Sequence, residues 1–422
     1  MTAIQVGGGR VAGLDAERLA AEFGTPLYVY DLDAIAERVS ALAAALPPAF
    51  SLAFAAKANP SLAVLNLFAE LGLGLDVASA GELEAGRRAG VASDRIVFTG
   101  PGKTDAELGE AAQVGLRAVT VESATELARL ERAAADIGRV VPILLRVAVH
   151  DGAEEVPILG SGWRKFGIDP GELGDVARRA QASPWLDLLG IHAFGASNVL
   201  DAGEIVAHVA RTVDLAACLA RDIGFSLRLV DVGGGLGVPY GDGEPELDLT
   251  RLGSGLARLA AAWEADAALG DLSVLVEPGR YLTAPCGLLL TRVVDTKRVG
   301  GRAVVIVDAG LHHALRPALL GTAHRLRLVA NDPGSAATEP VMVAGPLCTG
   351  LDVFPGALPE VPEPGDPIAV CDLGAYGFTE SMPYFLSHPI PAEVVVRGGR
   401  AHPARRRVEP GELLEMQHIA VG

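Results

Sequence analysis

The chain has 422 residues, half of them hydrophobic, with a formal charge of −17 and four cysteines. That length calls for two domains, or for one large barrel with an appendage. The acidity argues against nucleic acid or an anionic membrane surface as a partner, and no apolar run reaches membrane-spanning length without charges or turns. Cys218, Cys286, Cys348 and Cys371 form no CxxC pair, and residues 1–23 lack the apolar core of a secretion signal. Reduced thiols and a cytoplasmic location are therefore expected.

In chain order, TPLYVYD (25–31) predicts a strand ahead of a long alternation of apolar runs and helical patterns. Runs at 52–56, 75–77, 96–98, 118–121, 141–147, 189–194, 227–232 and 274–276 read as strands. Stretches such as 80–89, 122–135 and 202–222 read as helices between them. Eight such units over about 230 residues match the size of a (β/α)8 barrel; periodicity alone leaves a doubly wound sheet as the rival. After Pro278, Gly and Pro punctuate the β-rich runs CGLLLTRVVDTK, RAVVIVDAG, EPVMVAGPL, DPIAVCDLG and AEVVVRGGR. These predict a mostly antiparallel β domain. PGALPEVPEPGDP (355–367) reads as a Pro-rich loop. The expected organisation is an α/β barrel over 26–277 and a β domain over 278–422, with residues 1–25 packing with the latter.

Active sites of such barrels lie at the C-terminal ends of the strands. Lys57 closes the first strand in SLAFAAKANP, Asp76 lies in the second, and GIHAFGASN places His192 and Ser197 after the sixth. VDVGGGLGVPY ends the seventh with Gly233, Gly234 and Gly235, and VEPGRY ends the eighth with Glu277 and Arg280. Each has a plainer reading on its own: a solvated rim lysine, a flexible turn, a core histidine, a surface ion pair. Gathered at one barrel end they point to chemistry. Glycines let backbone N–H groups approach an anion. A partly desolvated lysine can form a Schiff base, and a carboxylate can hold a protonated ring nitrogen. Together these suit pyridoxal phosphate (PLP). On this reading Lys57, with no acid beside it in sequence, has an aldehyde rather than an acid as its partner. No metal is expected.

Seven motifs in order, FAAKAN, DVASAGEL, FTGPGK, KFGI, VDVGGGLGVPY, VEPGRY and GPLCTGLD, followed by GAYGF, resemble the PLP-dependent decarboxylases of the alanine-racemase-like fold. That family includes diaminopimelate and ornithine decarboxylases. The resemblance implies that Lys57 carries the cofactor and His192 stacks on its ring. It implies that Ser197, Gly233, Gly234, Gly235, Arg280 and Tyr376 surround the phosphate, and that Glu277 binds the pyridine nitrogen with Asp76 nearby. It also implies a homodimer with composite sites, in which Cys348 of one subunit protonates the carbanion in the other and Asp352 sits beside it. An anionic Glu277 favours decarboxylation over racemisation, since racemases of this fold place an arginine at that nitrogen. The plainer reading of Cys348 is a small buried hydrophobe.

The substrate motifs depart from the diaminopimelate branch. Thr349 stands where its Glu is usual, and LRPALLG keeps Arg316 but places Leu320 at the usual Tyr. HAFGASN, the pair His312-His313 in GLHHALRP, and FLSHPIPAEV resemble the branch acting on carrier-protein-tethered amino acids. The expectation is a PLP-dependent decarboxylase acting on a small amino acid or a tethered aminoacyl group, with Arg316, Asp352, His312 and His313 near the substrate. Alternatives are a meso-diaminopimelate decarboxylase making L-lysine and, from another class, a non-catalytic PLP-binding protein. An acidic carrier would need a basic landing patch, for which RGGRAHPARRR (397–407) and TKRVGGR (296–302) are the candidates.

Overall fold

The structure, a computed structural model, describes residues 2–148, 165–241, 243–266, 268–321, 323–332 and 339–419. Residues 149–164 of the expected barrel span, and the ends of the expected domain spans at 1 and 422, lie outside the described residues. The chain divides into a barrel unit, Val39–Val238 with Glu246–Tyr281, and a β unit, Met1–Arg38 with Pro239–Pro245 and Leu282–Gly422.

The barrel is closed by eight parallel strands: Phe50–Ala55, Gly74–Val77, Ile96–Phe98, Ala118–Val121, Val141–Arg146, Leu186–His192, Leu229–Asp231 and Ser273–Val276. The last pairs with the first, Val276 opposite Leu52, so the sheet has no edge. Short, fully buried apolar strands are what a parallel sheet covered on both faces requires. Ala53, Val97, Ala118, Leu144, Leu229 and Leu275 form one core layer of the barrel. The helices start where side chains can satisfy their free N–H groups. Ser79, Ser123, Asp201 and Asp248 cap their helices, and Thr104 forms a capping box with Glu107. Left-handed glycines at 115, 138 and 224 stop three of them.

The β unit is built on the long strand Gly287–Val299. It pairs antiparallel with Arg302–Val307, Pro367–Val370 and Leu27–Asp31. Ala392–Arg397 lies parallel to Leu27–Asp31 and forms a hairpin with Arg400–Arg405; Glu339–Ala344 runs parallel to Arg302–Val307. The sheet is thus mixed, with antiparallel pairs in the majority among the described residues. The strand Leu27–Asp31 of TPLYVYD, inside the expected barrel span 26–277, pairs within the β unit. Its first four strand residues are all buried, which needs a neighbour on each side, and both neighbours lie in the β unit. Ile4, Val6, Val11 and Leu19 of the N-terminal segment pack in the same core as Leu27, Val29, Leu288 and Val394. No helix among the described residues is long and apolar enough to cross a membrane.

Candidate active site

Lys57 sits in a single 3-10 turn, Ala56–Ala58, directly after the first barrel strand. Its side chain is half-exposed and its Nζ donates to Asp76 Oδ2 at 2.5 Å. The lysine therefore does have an acid partner, supplied by the neighbouring strand rather than by nearby sequence. Thr99 Oγ1 donates to the other oxygen of Asp76, which is buried at the end of the second strand.

His192 and Glu277 end the sixth strand and follow the eighth, with Nε2 and Oε2 3.7 Å apart. Both are buried. Neither ring nitrogen of His192 has a hydrogen-bond partner, and Glu277 Oε1 has none either. Burial, helped by Arg146 and Lys57, pushes the imidazole well below its ordinary pKa and keeps it neutral. Burial and then the neighbouring Asp231 push Glu277 well up. Such orphaned polar atoms at the strand ends are costly unless a ligand engages them.

The glycine loop follows strand seven. A Cβ at Gly234 would come within 2.2 Å of the Glu277 carbonyl, and Gly235 has φ +87°, so no other residue fits the path. Beside it, Arg280 Nη2 donates to Ser197 Oγ at 3.3 Å. Backbone amides at a glycine turn with an arginine and a hydroxyl suit a phosphate. An amine, a buried carboxyl, an imidazole and this cradle are a donor set that PLP fits.

Sequence reasoning passed over four residues that build the site. Asp231 closes the seventh strand, fully buried, and Oδ1 accepts the Gly233 N–H at 2.9 Å. Its signal was an acid two residues before a glycine run. Thr99 had no sequence signal. His208, on the helix Ala202–Ile223, bridges the Ala193 and Val232 carbonyls at 3.2 and 3.1 Å and ties two strand ends together. Lys103 of FTGPGK is a buried pin, donating to Gly100 O, Thr120 O and Glu126 Oε1 at 2.8, 2.7 and 2.9 Å.

The remaining expected residues lie in the β unit. Arg316 Nη1 donates to Glu380 Oε2 at 2.6 Å, and its guanidinium stacks 4.4 Å over the Tyr376 ring. Glu380 had no sequence signal. Tyr376 has φ +53°, a conformation that costs a bulky residue about 1–3 kcal/mol and is kept mostly at functional positions. The imidazoles of His312 and His313 are 3.7 Å apart, and His388 lies 4.6 Å from His312. Both nitrogens of His312 are buried without a partner. Asp352 is buried, and its two oxygens accept Leu311 N–H and Leu347 N–H, each at 2.7 Å. It therefore pins the Cys348 loop to the His312 loop. Cys348 itself is exposed, which does not fit a small buried hydrophobe.

Three arginines of the expected patch 397–407 make contacts within the β unit. Arg405 lies 3.1 Å from Glu393 and 3.9 Å over the Phe378 ring, Arg406 pairs with Glu412 at 2.6 Å, and Arg407 donates to Pro26 O at 2.8 Å.

The family described as pyridoxal-dependent decarboxylase, pyridoxal binding domain, matches residues 32–284. A diaminopimelate decarboxylase of Methanothermobacter thermautotrophicus is 36% identical over 97% of this chain and 95% of its own. The L-glutamyl-[BtrI acyl-carrier protein] decarboxylase of Niallia circulans is 33% identical over 94% of this chain and 95% of its own. Among solved structures, diaminopimelate decarboxylase from Helicobacter pylori complexed with L-lysine shares 32% identity at a TM-score of 0.85, covering 95% of this chain and 98% of that one. The M. jannaschii enzyme in complex with L-lysine shares 28% at 0.89, covering 99% and 98%.

Proposed function

Because this chain belongs to the pyridoxal-dependent decarboxylases, we propose that its own substrate is an amino acid held by its far end, as in a carrier-protein-linked aminoacyl group. The chain is a PLP-dependent carboxy-lyase, which removes the non-catalytic alternative. When bound, PLP supplies the electron sink for the pair released at Cα as the α-carboxylate leaves as CO2.

The chain's residues do the rest. Lys57 Nζ anchors the cofactor aldehyde, with Asp76 and Thr99 fixing its position. Glu277 would hold the ring nitrogen, and His192, kept neutral by burial, would offer a ring face that adds no competing charge. Gly233, Gly234, Gly235, Ser197 and Arg280 would hold the phosphate. Cys348 Sγ delivers the proton that replaces the carboxylate on Cα, and the thiolate is reprotonated from solvent. We place Cys348 in the site of a partner subunit. An exposed thiol on a loop that Asp352 holds rigid supports this, as do the exposed apolar side chains Leu351, Tyr384 and Leu386 of the same unit.

The observation that carries the tethered substrate is the Arg316–Glu380 pair. An arginine already neutralised by a carboxylate and stacked on an aromatic ring is poorly placed to clamp a second, free carboxylate of the substrate. Thr349 and Leu320 remove two further polar contacts for a distal amino acid head, and burying a charged head group without such partners is costly.

A second reading, meso-diaminopimelate to L-lysine, is favoured by retention of Arg316 and by the 36% identity to the M. thermautotrophicus enzyme. CO2 release from free diaminopimelate, lysine, ornithine, arginine, glutamate and aspartate, and from their carrier-loaded forms, separates the two. Faster turnover of a carrier-loaded form supports the proposal. Turnover of free diaminopimelate far above all others replaces it with the second reading.

A further inference from the structure

Asp231 is placed to act on both the glycine loop and Glu277. Its Oδ1 holds the Gly233 N–H, and the Glu277 N–H donates to Gly233 O at 2.8 Å. The Asp231 side chain is thereby linked through one glycine to the backbone that carries Glu277. Its second oxygen, Oδ2, and Glu277 Oε1 are buried and accept no hydrogen bond. Asp231, Glu277 and His192 each bring one ligand atom within 4.8 Å of the others.

We propose that Asp231 is a positioning residue that shares one proton with Glu277, and so sets the charge Glu277 presents to the ring nitrogen while seating the phosphate loop. The inference rests on Glu277 being the partner of that nitrogen. Two carboxylates side by side in a buried site cannot both ionise. Burial raises the proton affinity of each; Asp231 raises that of Glu277 further, whereas the bond from Glu277 lowers that of Asp231, so the one proton is held between them on the Glu277 side. The charged groups acting on the pair are Asp76 and Lys57, with Arg117, which Asp231 attracts, and neutral His192 beside Glu277. With one proton shared, the three acids carry two negative charges against the two positive charges of Lys57 and Arg117. Without that proton, an uncompensated negative charge would be buried. The pair then presents a single negative charge, which suits one protonated ring nitrogen.

Asp231→Asn and Asp231→Ala separate the two effects. The amide keeps an acceptor for the Gly233 N–H and offers a donor toward Glu277, holding it as the anion. Apo-enzyme titrated with PLP and followed by fluorescence should show a Kd within about threefold of the parent for Asp231→Asn. Asp231→Ala, which drops the charge-assisted bond to the loop, should raise it at least about tenfold. The visible absorbance of the bound cofactor, titrated with pH, should shift its midpoint by at least about one unit in Asp231→Asn. Circular dichroism checks that each variant folds, and Asp231→Asn keeps the test alive if Asp231→Ala does not. If Glu277→Gln changes neither Kd nor midpoint, the reading of Glu277 itself fails. If Glu277→Gln changes them but Asp231→Asn leaves the midpoint where it was, Asp231 is only structural and the proposal is overturned.

Discussion

Lys57 and Asp76 are joined Nζ to Oδ2 at 2.5 Å across two adjacent barrel strands, although 19 residues separate them in the chain. The lysine side chain is 47% exposed and the aspartate 1%. An ion pair with one such exposed partner adds at most about 1 kcal/mol to stability. Its consequence is positional: a buried carboxylate, itself held by Thr99, keeps a mobile amine at the end of the barrel where an aldehyde can reach it.

Purified protein should accordingly be yellow, and borohydride reduction followed by peptide mapping should place the pyridoxyl group on Lys57. Lys57→Ala should retain the fold, bind PLP weakly and lack turnover. A label on any other lysine, or no cofactor after reconstitution, ends this assignment.

If Cys348 serves the site of a partner subunit, two inactive variants should complement each other. Mixing Lys57→Ala and Cys348→Ala subunits at equal amounts gives half heterodimers, each with one intact site. Recovered activity should then approach about a quarter of the parent value. Mass spectrometry verifies the exchange. No recovery after complete exchange means that each chain builds its own site.

The barrel was legible because its strands are short apolar runs with capped helices between them, and period and caps are local signals. Lys57, Glu277 and the glycine loop stood out because polar groups at strand ends are unusual. Asp231 and Thr99 did not, because a buried acid or hydroxyl is recognisable only once its neighbours are known. The same limit applies to Glu380. GAYGFTE gives no hint that its glutamate reaches back 64 residues to Arg316. It applies in reverse to Arg405, whose place in a basic run suggested a docking patch while its contacts make it a packing residue.

The histidine cluster makes a pH prediction. Burial holds His312 at a pKa of about 3 and His313 at about 4, whereas unfolded imidazoles titrate near ~6.5. Below about pH 6.5 the unfolded chain therefore binds more protons, so stability falls as pH falls, by up to about 1.4 kcal/mol per unit for each histidine. Buried carboxyls with raised values oppose this slope, so the difference between parent and variant is the readout. His312→Phe keeps a ring against His313 and His388 and cannot take up a proton. Urea unfolding at pH 7 and pH 5 should show a stability loss smaller by about 2 kcal/mol in the variant. Identical losses would mean that His312 is not held neutral by its surroundings.

The Arg316–Glu380 pair gives the sharpest test of substrate choice. Arg316 is buried, its Nη1 is taken by Glu380 at 2.6 Å, and its Nε has no partner. Removing the carboxylate leaves an uncompensated buried cation, so Glu380→Gln should lower Tm, and an anion able to reach Arg316 should raise it again. Free diaminopimelate carries such an anion at its far end; a carrier-linked group does not. Glu380→Gln should thus gain at least about tenfold in kcat/KM on free diaminopimelate, since a charge-assisted bond at a desolvated arginine contributes roughly 1.5–3 kcal/mol. Its activity on the carrier-linked form should change little, because nothing there depends on a free arginine. The ratio of the two kcat/KM values, measured for parent and variant, decides the matter. A folded Glu380→Gln whose ratio equals that of the parent would show that Arg316 does not read the far end of the substrate, and the tether would then need another explanation than this pair.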